Sequence, residues 1–182
     1  DVKRYIEDLS HEIEDLLDAS RLDHGTFRLR RSQADLREIC AAACSRMEWA
    51  YGEKRIRRHL GDDAFPGRWD APRLERAVAN ILENALRFSP SETTVDIYAK
   101  PETGRATITV EDDGPGIAES DLPHIWNPYT QGASRGGDHH GAGIGLFVVR
   151  EIVEAHSGSV SLGTRLGRGT TVTISLLTLP PE

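Results

Sequence analysis

The chain has 182 residues, 38% apolar and 28% charged, with a formal net charge of −7. That length and mix suit one folded domain with a short appended element and exclude a disordered chain. Lys and Arg are scattered rather than gathered into a stripe, which excludes a nucleic-acid surface, and no apolar run approaches the roughly 18–20 residues of a bilayer span.

From Val2, the apolar residues Ile6, Leu9, Ile13 and Leu16 recur at heptad spacing, which predicts a helix wanting a partner helix and ending at Gly25. Thr26 to Arg30 alternates as a short strand does. Asp35 then caps a helix running through Cys40 and Met47 to about Tyr51. Both cysteines fall in this Ala-rich helix, with no His or Asp to complete a metal set, so they read as packing. Arg55 to Trp69 predicts one or two short strands, with turns at Gly61 and Gly67. Asp70 before Pro72 is a helix start, and that helix runs to Phe88 and stops before Pro90. Thr94–Lys100 and Ala106–Glu111 alternate and form a hairpin about Glu102–Gly104. A long Gly-rich stretch follows from Asp113 to Gly143, broken by a short helix near Leu122–Trp126, and loops of such length are usually functional. Ile144–His156 is helical, and Ser159–Leu162 pairs with Thr170–Leu176 around Gly167 and Gly169. This order predicts an α+β fold, a two-layer α/β sandwich whose mixed sheet is covered by helices on one face and preceded by a helical arm.

Three clusters carry chemistry. On the helix from Ala71 to Phe88, the advance of about 100° per residue puts Leu74, Val78, Ile81, Leu82 and Ala85 on the core stripe, with Asn80, Asn84 and Arg87 along one edge of it. Amides offer a neutral oxygen to a hard cation and donors to phosphate, and Arg adds fixed positive charge, although a solvated helix edge has the same composition. In the second hairpin strand, Ala106, Ile108 and Val110 share a face and Asp112 continues their parity, aiming a carboxylate at the core. Such a group requires a donor, and an exocyclic purine amine would serve, whereas a plain turn with a capping Asp is the simpler alternative. Gly114 and Gly116 beside it leave room for a flat ligand. Gly141-Ala142-Gly143-Ile144-Gly145-Leu146 places glycines at every second position before a helix, where backbone amides can hold an anion. Alone, it would serve equally well as a flexible linker, and it matches neither the dinucleotide fingerprint nor a P-loop.

Taken together in this order and spacing, these motifs resemble the histidine kinase catalytic domain of the GHKL ATPase superfamily, with its Bergerat fold. Asn80 to Phe88 resembles the N box, Asp112 to Ile117 the G1 box, Gly141 to Leu146 the G2 box, and Gly167 to Thr170 the late Gly-x-Gly-Thr. The resemblance implies ATP and Mg²⁺ as cofactors. Asn84 would hold Mg²⁺, Asn80 and Arg87 would face phosphates, Phe88 would flank the adenine, and Asp112 with Thr170 would accept its amine. Gly114, Gly116 and Ile117 would border the base, and Gly141, Ala142, Gly143, Ile144, Gly145 and Leu146 would wrap the triphosphate beneath a lid. Residues 1–24 would be the end of a dimerisation helix and its linker, and residues 25–182 the ATP-binding domain. The implied partners are the phosphoacceptor helix of a homodimeric parent and a response regulator receiver domain, in the cytoplasm and without membrane contact in this segment.

Ser10-His11-Glu12 imitates the start of a phosphoacceptor box, but it continues Ile-Glu-Asp-Leu-Leu and belongs to the second helix, so His11 is read as a surface histidine and the acceptor as lying elsewhere. The lid departs from the family pattern, reading Ile125-Trp126-Asn127-Pro128-Tyr129-Thr130-Gln131 where a cation often follows the aromatics, a role Arg135 could take. His139 and His140 read as solvated, and His156 as a cap at a helix C-terminus. Hydrolytic relatives carry a Glu at the position of Asn80, and an amide cannot be that base, which favours transfer to histidine over hydrolysis. Glu83 points about 100° away from Asn84 and is a poor substitute. A stand-alone ATPase, a non-catalytic nucleotide-binding scaffold and a serine kinase are the rival readings.

Overall fold

The computed structural model describes residues 28–52, 55–130 and 143–178. The heptad seam from Val2 to Leu16, Gly25, Gly141, Ala142, Arg135, His139 and His140 lie outside the described residues. Among the described residues the strands are β1 (Ser32–Asp35), β2 (Ile56–His59), β3 (Pro66–Trp69), β4 (Val95–Glu102), β5 (Arg105–Asp112), β6 (Ser159–Thr164) and β7 (Thr170–Leu177). The helices are α1 (Leu36–Tyr51), α2 (Ala71–Phe88) and α3 (Gly145–Ala155), with a 3₁₀ turn at Leu122–His124. No described helix is long and apolar enough to cross a membrane.

The main sheet has the order β2-β4-β5-β7-β6, with β2 parallel to β4 and every other pair antiparallel. Alternation decides its two faces. Val95, Ile97 and Ala99, then Ala106, Ile108 and Val110, then Val172, Ile174 and Leu176 are buried under the helices, while Asp96, Tyr98, Thr107, Thr109, Thr171 and Thr173 take the other face. Leu74, Val78, Ile81, Leu82 and Ala85 of α2 are all buried, as the helical stripe predicted. Asp70 caps α2 by accepting from the Arg73 amide, and Asp35 caps α1 by accepting from the Arg37 amide. Cys40 and Cys44 are buried in α1, and burial drives both thiols up, Cys44 to about 11, so neither is a nucleophile at neutral pH.

Two local expectations are corrected. The first strand among the described residues is Ser32–Asp35, because pairing with β3 in a separate two-stranded sheet sets its position; residues 28–30 of the expected Thr26–Arg30 strand hold none, and Thr26 and Phe27 lie outside the described residues. Gly67 is not a turn but lies inside β3, where its missing side chain makes room for the Trp69 indole. That indole is 1% exposed and donates to the Leu177 carbonyl at 3.0 Å, so its polar atom is satisfied. His156 is the C-cap of α3, as its position near the helix end predicts, and its ring caps a last-turn carbonyl. It is 1% exposed, and its Nε2 accepts from the Asp70 amide at 3.0 Å while Nδ1 donates to the Ile152 carbonyl at 2.7 Å. An acceptor nitrogen means a neutral ring, and burial, the largest cause, lowers its proton affinity.

Candidate functional site

An open cleft of about 570 Å³ separates the C-terminal half of α2 from the ends of β5 and β7. Its walls are Ile81, Asn84, Ala85 and Phe88 of α2, Val110 and Asp112 of β5, Pro115, Gly116 and Ile117 after it, Leu146 of α3, Leu162 of β6, and Thr170 and Val172 of β7. The lining is mostly apolar with three convergent polar side chains, the composition of a small-molecule site. Seven residues singled out from the sequence meet here: Asn84, Phe88, Asp112, Gly116, Ile117, Leu146 and Thr170.

Asp112 is paired in register with Thr170, so the carboxylate and the hydroxyl stand side by side on adjacent strands. The Gly114 amide donates to Asp112 Oδ1 at 2.7 Å, and a side chain at Gly114 would meet that oxygen at 2.7 Å and the Phe88 carbonyl oxygen at 3.3 Å. Burial raises the Asp112 carboxyl, the Gly114 and Thr170 amides pull it back down, and the Asp113 charge adds to the rise. The net direction is upward, which marks a carboxylate short of donors in a half-buried position. At Gly169, φ is +83 and an added Cβ would fall on the Asp112 carbonyl oxygen, so the late Gly-x-Gly-Thr motif is what lets β7 lie against the carboxylate's backbone.

The first residue of α3 completes the other end. A Cβ at Gly145 would lie 3.8 Å from Asn80 Nδ2 and 3.9 Å from Asn84 Nδ2, so the helix N-terminus opens directly onto the two amides. Asn80 Nδ2 donates to the Gly145 carbonyl at 3.4 Å. Three more of the expected site residues have partners within the fold. Asn80 is not among the residues of the cleft wall, and it ties α2 to α3. Arg87 pairs with Glu83 at 2.9 Å, one helical turn back, and the Tyr51 hydroxyl reaches the same Glu83 oxygen at 3.4 Å. Ile144 is 1% exposed, its apolar side chain turned into the core at the start of α3. Gly143 closes against Thr130 at the base of the long loop, where φ is +66.

Two supporting residues escaped the motif reading. Arg55 donates to the Leu86 carbonyl at 3.1 Å and the Pro90 carbonyl at 2.9 Å, closing the end of α2 that carries Phe88. Thr164 accepts from the Ile117 amide at 3.0 Å and donates to the Gly169 carbonyl at 3.0 Å. Neither carries a sequence signal, since a lone Arg or Thr acquires such partners only through the fold. Asn84 stands on the cleft wall, and the oxygen of a side-chain amide is a neutral ligand of the kind a hard cation such as Mg²⁺ accepts.

Residues 69–181 match the family described as histidine kinase-, DNA gyrase B-, and HSP90-like ATPase, more than half of the chain. The chain is similar to the histidine protein kinase DivJ of Caulobacter vibrioides, 33% identical over 166 residues that cover 90% of this chain and 28% of that protein. Among solved structures, the histidine kinase AdeS of Acinetobacter baumannii has a TM-score of 0.74 at 25% identity, covering 95% of this chain and 80% of that one. The histidine kinase domain of the Escherichia coli osmosensor EnvZ has a TM-score of 0.64 at 30% identity, covering 86% and 93%. The chain therefore spans less than a third of the length of the Caulobacter protein.

Proposed function

The chain belongs to the histidine kinase-, DNA gyrase B- and HSP90-like ATPase family, and from that premise we propose that it is the catalytic domain of a sensor histidine kinase, binding Mg·ATP and passing the γ-phosphate to a histidine on a dimerisation helix. One observation carries the reading: Asn84, Asp112, Gly116 and Thr170, drawn from three separate motifs, line a single cleft. Asp112 and Thr170 would accept the adenine amine, Phe88 would pack on the base, and the N-terminus of α3 would meet the phosphates beside the Asn80 and Asn84 amides. Mg²⁺, when bound, supplies charge neutralisation on the phosphates, and Asn84 would be its protein ligand.

Phosphoryl transfer asks mainly for positioning and charge stabilisation, which this cleft can provide without a nucleophile of its own. The acceptor histidine would come from the parent's dimerisation helix, as a homodimer, and the phosphoryl group would pass on to a receiver domain in the cytoplasm. Asn80 supports transfer over hydrolysis, because its side chain is an amide already engaged with Gly145 and cannot take a proton from water. The test is calorimetric titration of Mg·ATP into the chain and its Asp112→Asn and Asn84→Ala variants, followed by transfer to a restored dimerisation helix. Binding that Asp112→Asn removes, with Mg²⁺ dependence that Asn84→Ala removes, is the expected result. A chain that binds no adenine nucleotide sinks the proposal.

A further inference from the structure

Thr164, at the end of β6, reaches three groups on separate segments. Its hydroxyl oxygen lies 3.0 Å from the Ile117 amide, 3.0 Å from the Gly169 carbonyl oxygen and 3.3 Å from the Thr170 hydroxyl. A hydroxyl has one proton to give. The Gly169 carbonyl can only accept, it belongs to a buried residue, and its other contact, from the Arg165 amide, is long at 3.4 Å. The Thr164 proton therefore goes to Gly169, and the Ile117 N–H occupies one of the Thr164 lone pairs. The Thr170 contact can then run in one direction only, with Thr170 donating to Thr164. What Thr170 has left for a ligand is its lone pairs. Thr170 lines the cleft beside its register partner Asp112, whose ionised carboxylate is also acceptor-only.

We propose that Thr164 is a positioning residue for purine selectivity: by drawing the Thr170 proton toward itself it makes both polar groups on this wall acceptors, which suits a 6-amino purine and opposes a 6-oxo purine. The inference rests on the adenine-nucleotide reading of the cleft. A 6-amino group has two N–H bonds to give, and two acceptors in direct contact satisfy both. A 6-oxo group sets lone pairs against lone pairs at Thr170. Without the Thr164 hydroxyl, Thr170 can rotate its proton into the cleft and satisfy the oxo group, so discrimination falls.

The experiment compares Mg·ATP with Mg·ITP, which carries a 6-oxo purine on the same triphosphate, by calorimetry on the same chain. Wild type should prefer ATP, and Thr164→Val should lower the ATP-to-ITP affinity ratio about tenfold, the factor one neutral hydrogen bond is worth. Thr164→Ser keeps the hydroxyl and should keep the wild-type ratio. Thr170→Val should lower the ratio by itself, and adding Thr164→Val to it should change the ratio no further. If Thr164→Val fails to fold, Thr164→Cys, a weak donor of similar size, takes its place with the same expected direction. A Thr164 variant that weakens both nucleotides equally, or a ratio that ignores Thr170→Val, overturns the proposal. A wild type that binds neither nucleotide overturns the adenine reading beneath it, a result distinct from an unchanged ratio.

Discussion

Gly145→Ala separates binding from folding. The new methyl would meet nothing closer than the side chains of Asn80 and Asn84 at 3.8 and 3.9 Å, ordinary contact distances, and the residue opens α3 with no positive φ. Replacing Gly by Ala at a compatible position stabilises by about 0.4–1 kcal/mol, chiefly by restricting the unfolded chain. For a domain of this size that amounts to a rise in Tm of roughly 1–4 °C. The same methyl, however, sits over the two amides where a phosphate would approach the helix N-terminus. Loss of a hydrogen bond to a charged group costs about 1.5–3 kcal/mol, or roughly tenfold to a hundredfold in Kd for Mg·ATP. Thermal unfolding with and without Mg·ATP, paired with calorimetry, reads both numbers. A variant that is more stable alone yet binds Mg·ATP within twofold of wild type would refute the placement of phosphate between α2 and α3. A lower Tm alone would refute the geometry assigned to Gly145.

Gly169→Ala is the contrasting case. Its φ of +83 and the collision with the Asp112 carbonyl combine backbone strain with displacement of β7, so a loss of about 3 kcal/mol and a Tm fall of roughly 6–12 °C are expected in unfolding scans, together with loss of nucleotide binding. Asp112→Asn should leave the ligand-free protein at least as stable as wild type near neutral pH. The folded-state pKa of Asp112 is raised, so its stabilising contribution exists below the unfolded value of 3.8 and is lost as pH rises through the folded value, leaving ionised Asp112 a net cost that Asn removes. The variant should still lose about a hundredfold or more in ATP affinity, because Asn satisfies Gly114 with its oxygen and turns an N–H toward the adenine amine, and a destabilised but fully binding variant would contradict this. His156 is buried and neutral with its pKa lowered from 6.5, so its contribution is complete above that value and is lost as pH falls through it toward the folded pKa. His156→Gln should be less stable than wild type by about 1–3 kcal/mol at pH 7.5, with the gap narrowing below pH 6.5, and a gap independent of pH would rule out this protonation state.

Periodicity made most of the fold legible. The α2 stripe and the parity that turned Asp112 inward follow from angles of about 100° and 180° per residue, and both reappear in the structure because burial enforces them. What failed was local pattern without local cause. Thr26–Arg30 alternates, yet residues 28–30 hold no strand, and the first described one forms at Ser32–Asp35 because its partner, β3, is a distant segment that no local pattern names. Other contacts were invisible to pattern: the Ile144 side chain is buried in the core, and Glu83, one turn before Arg87, pairs with it at 2.9 Å. His156 was legible as a helix cap from its position, but its second partner, the Asp70 amide, lies far back along the chain, where no local pattern reaches.

That last contact also explains how the cleft keeps its shape. The cleft is walled by α2 and, at one corner, by Leu146 of α3, so its geometry depends in part on the angle between two helices that share no covalent link shorter than the β4–β5 hairpin and the long loop. Asn80 ties them at one end through the Gly145 carbonyl. At the other end Asp70, the cap of α2, gives its amide to His156, the residue that ends α3, and takes the Arg30 amide on its carboxylate at 2.8 Å. Arg31 then donates to the Ala155 carbonyl at 2.9 Å, binding the segment before β1 to the end of α3. Each tie is a polar group with reduced access to water, so breaking one costs more than the bond itself is worth in solvent. α3 is therefore pinned to α2 at both its own ends, Gly145 to Asn80 and His156 to Asp70, while Arg55 holds the far end of α2 through the Leu86 and Pro90 carbonyls, so Asn84 and Phe88, on the stretch of α2 between Asn80 and that end, inherit their positions from contacts that never touch a ligand.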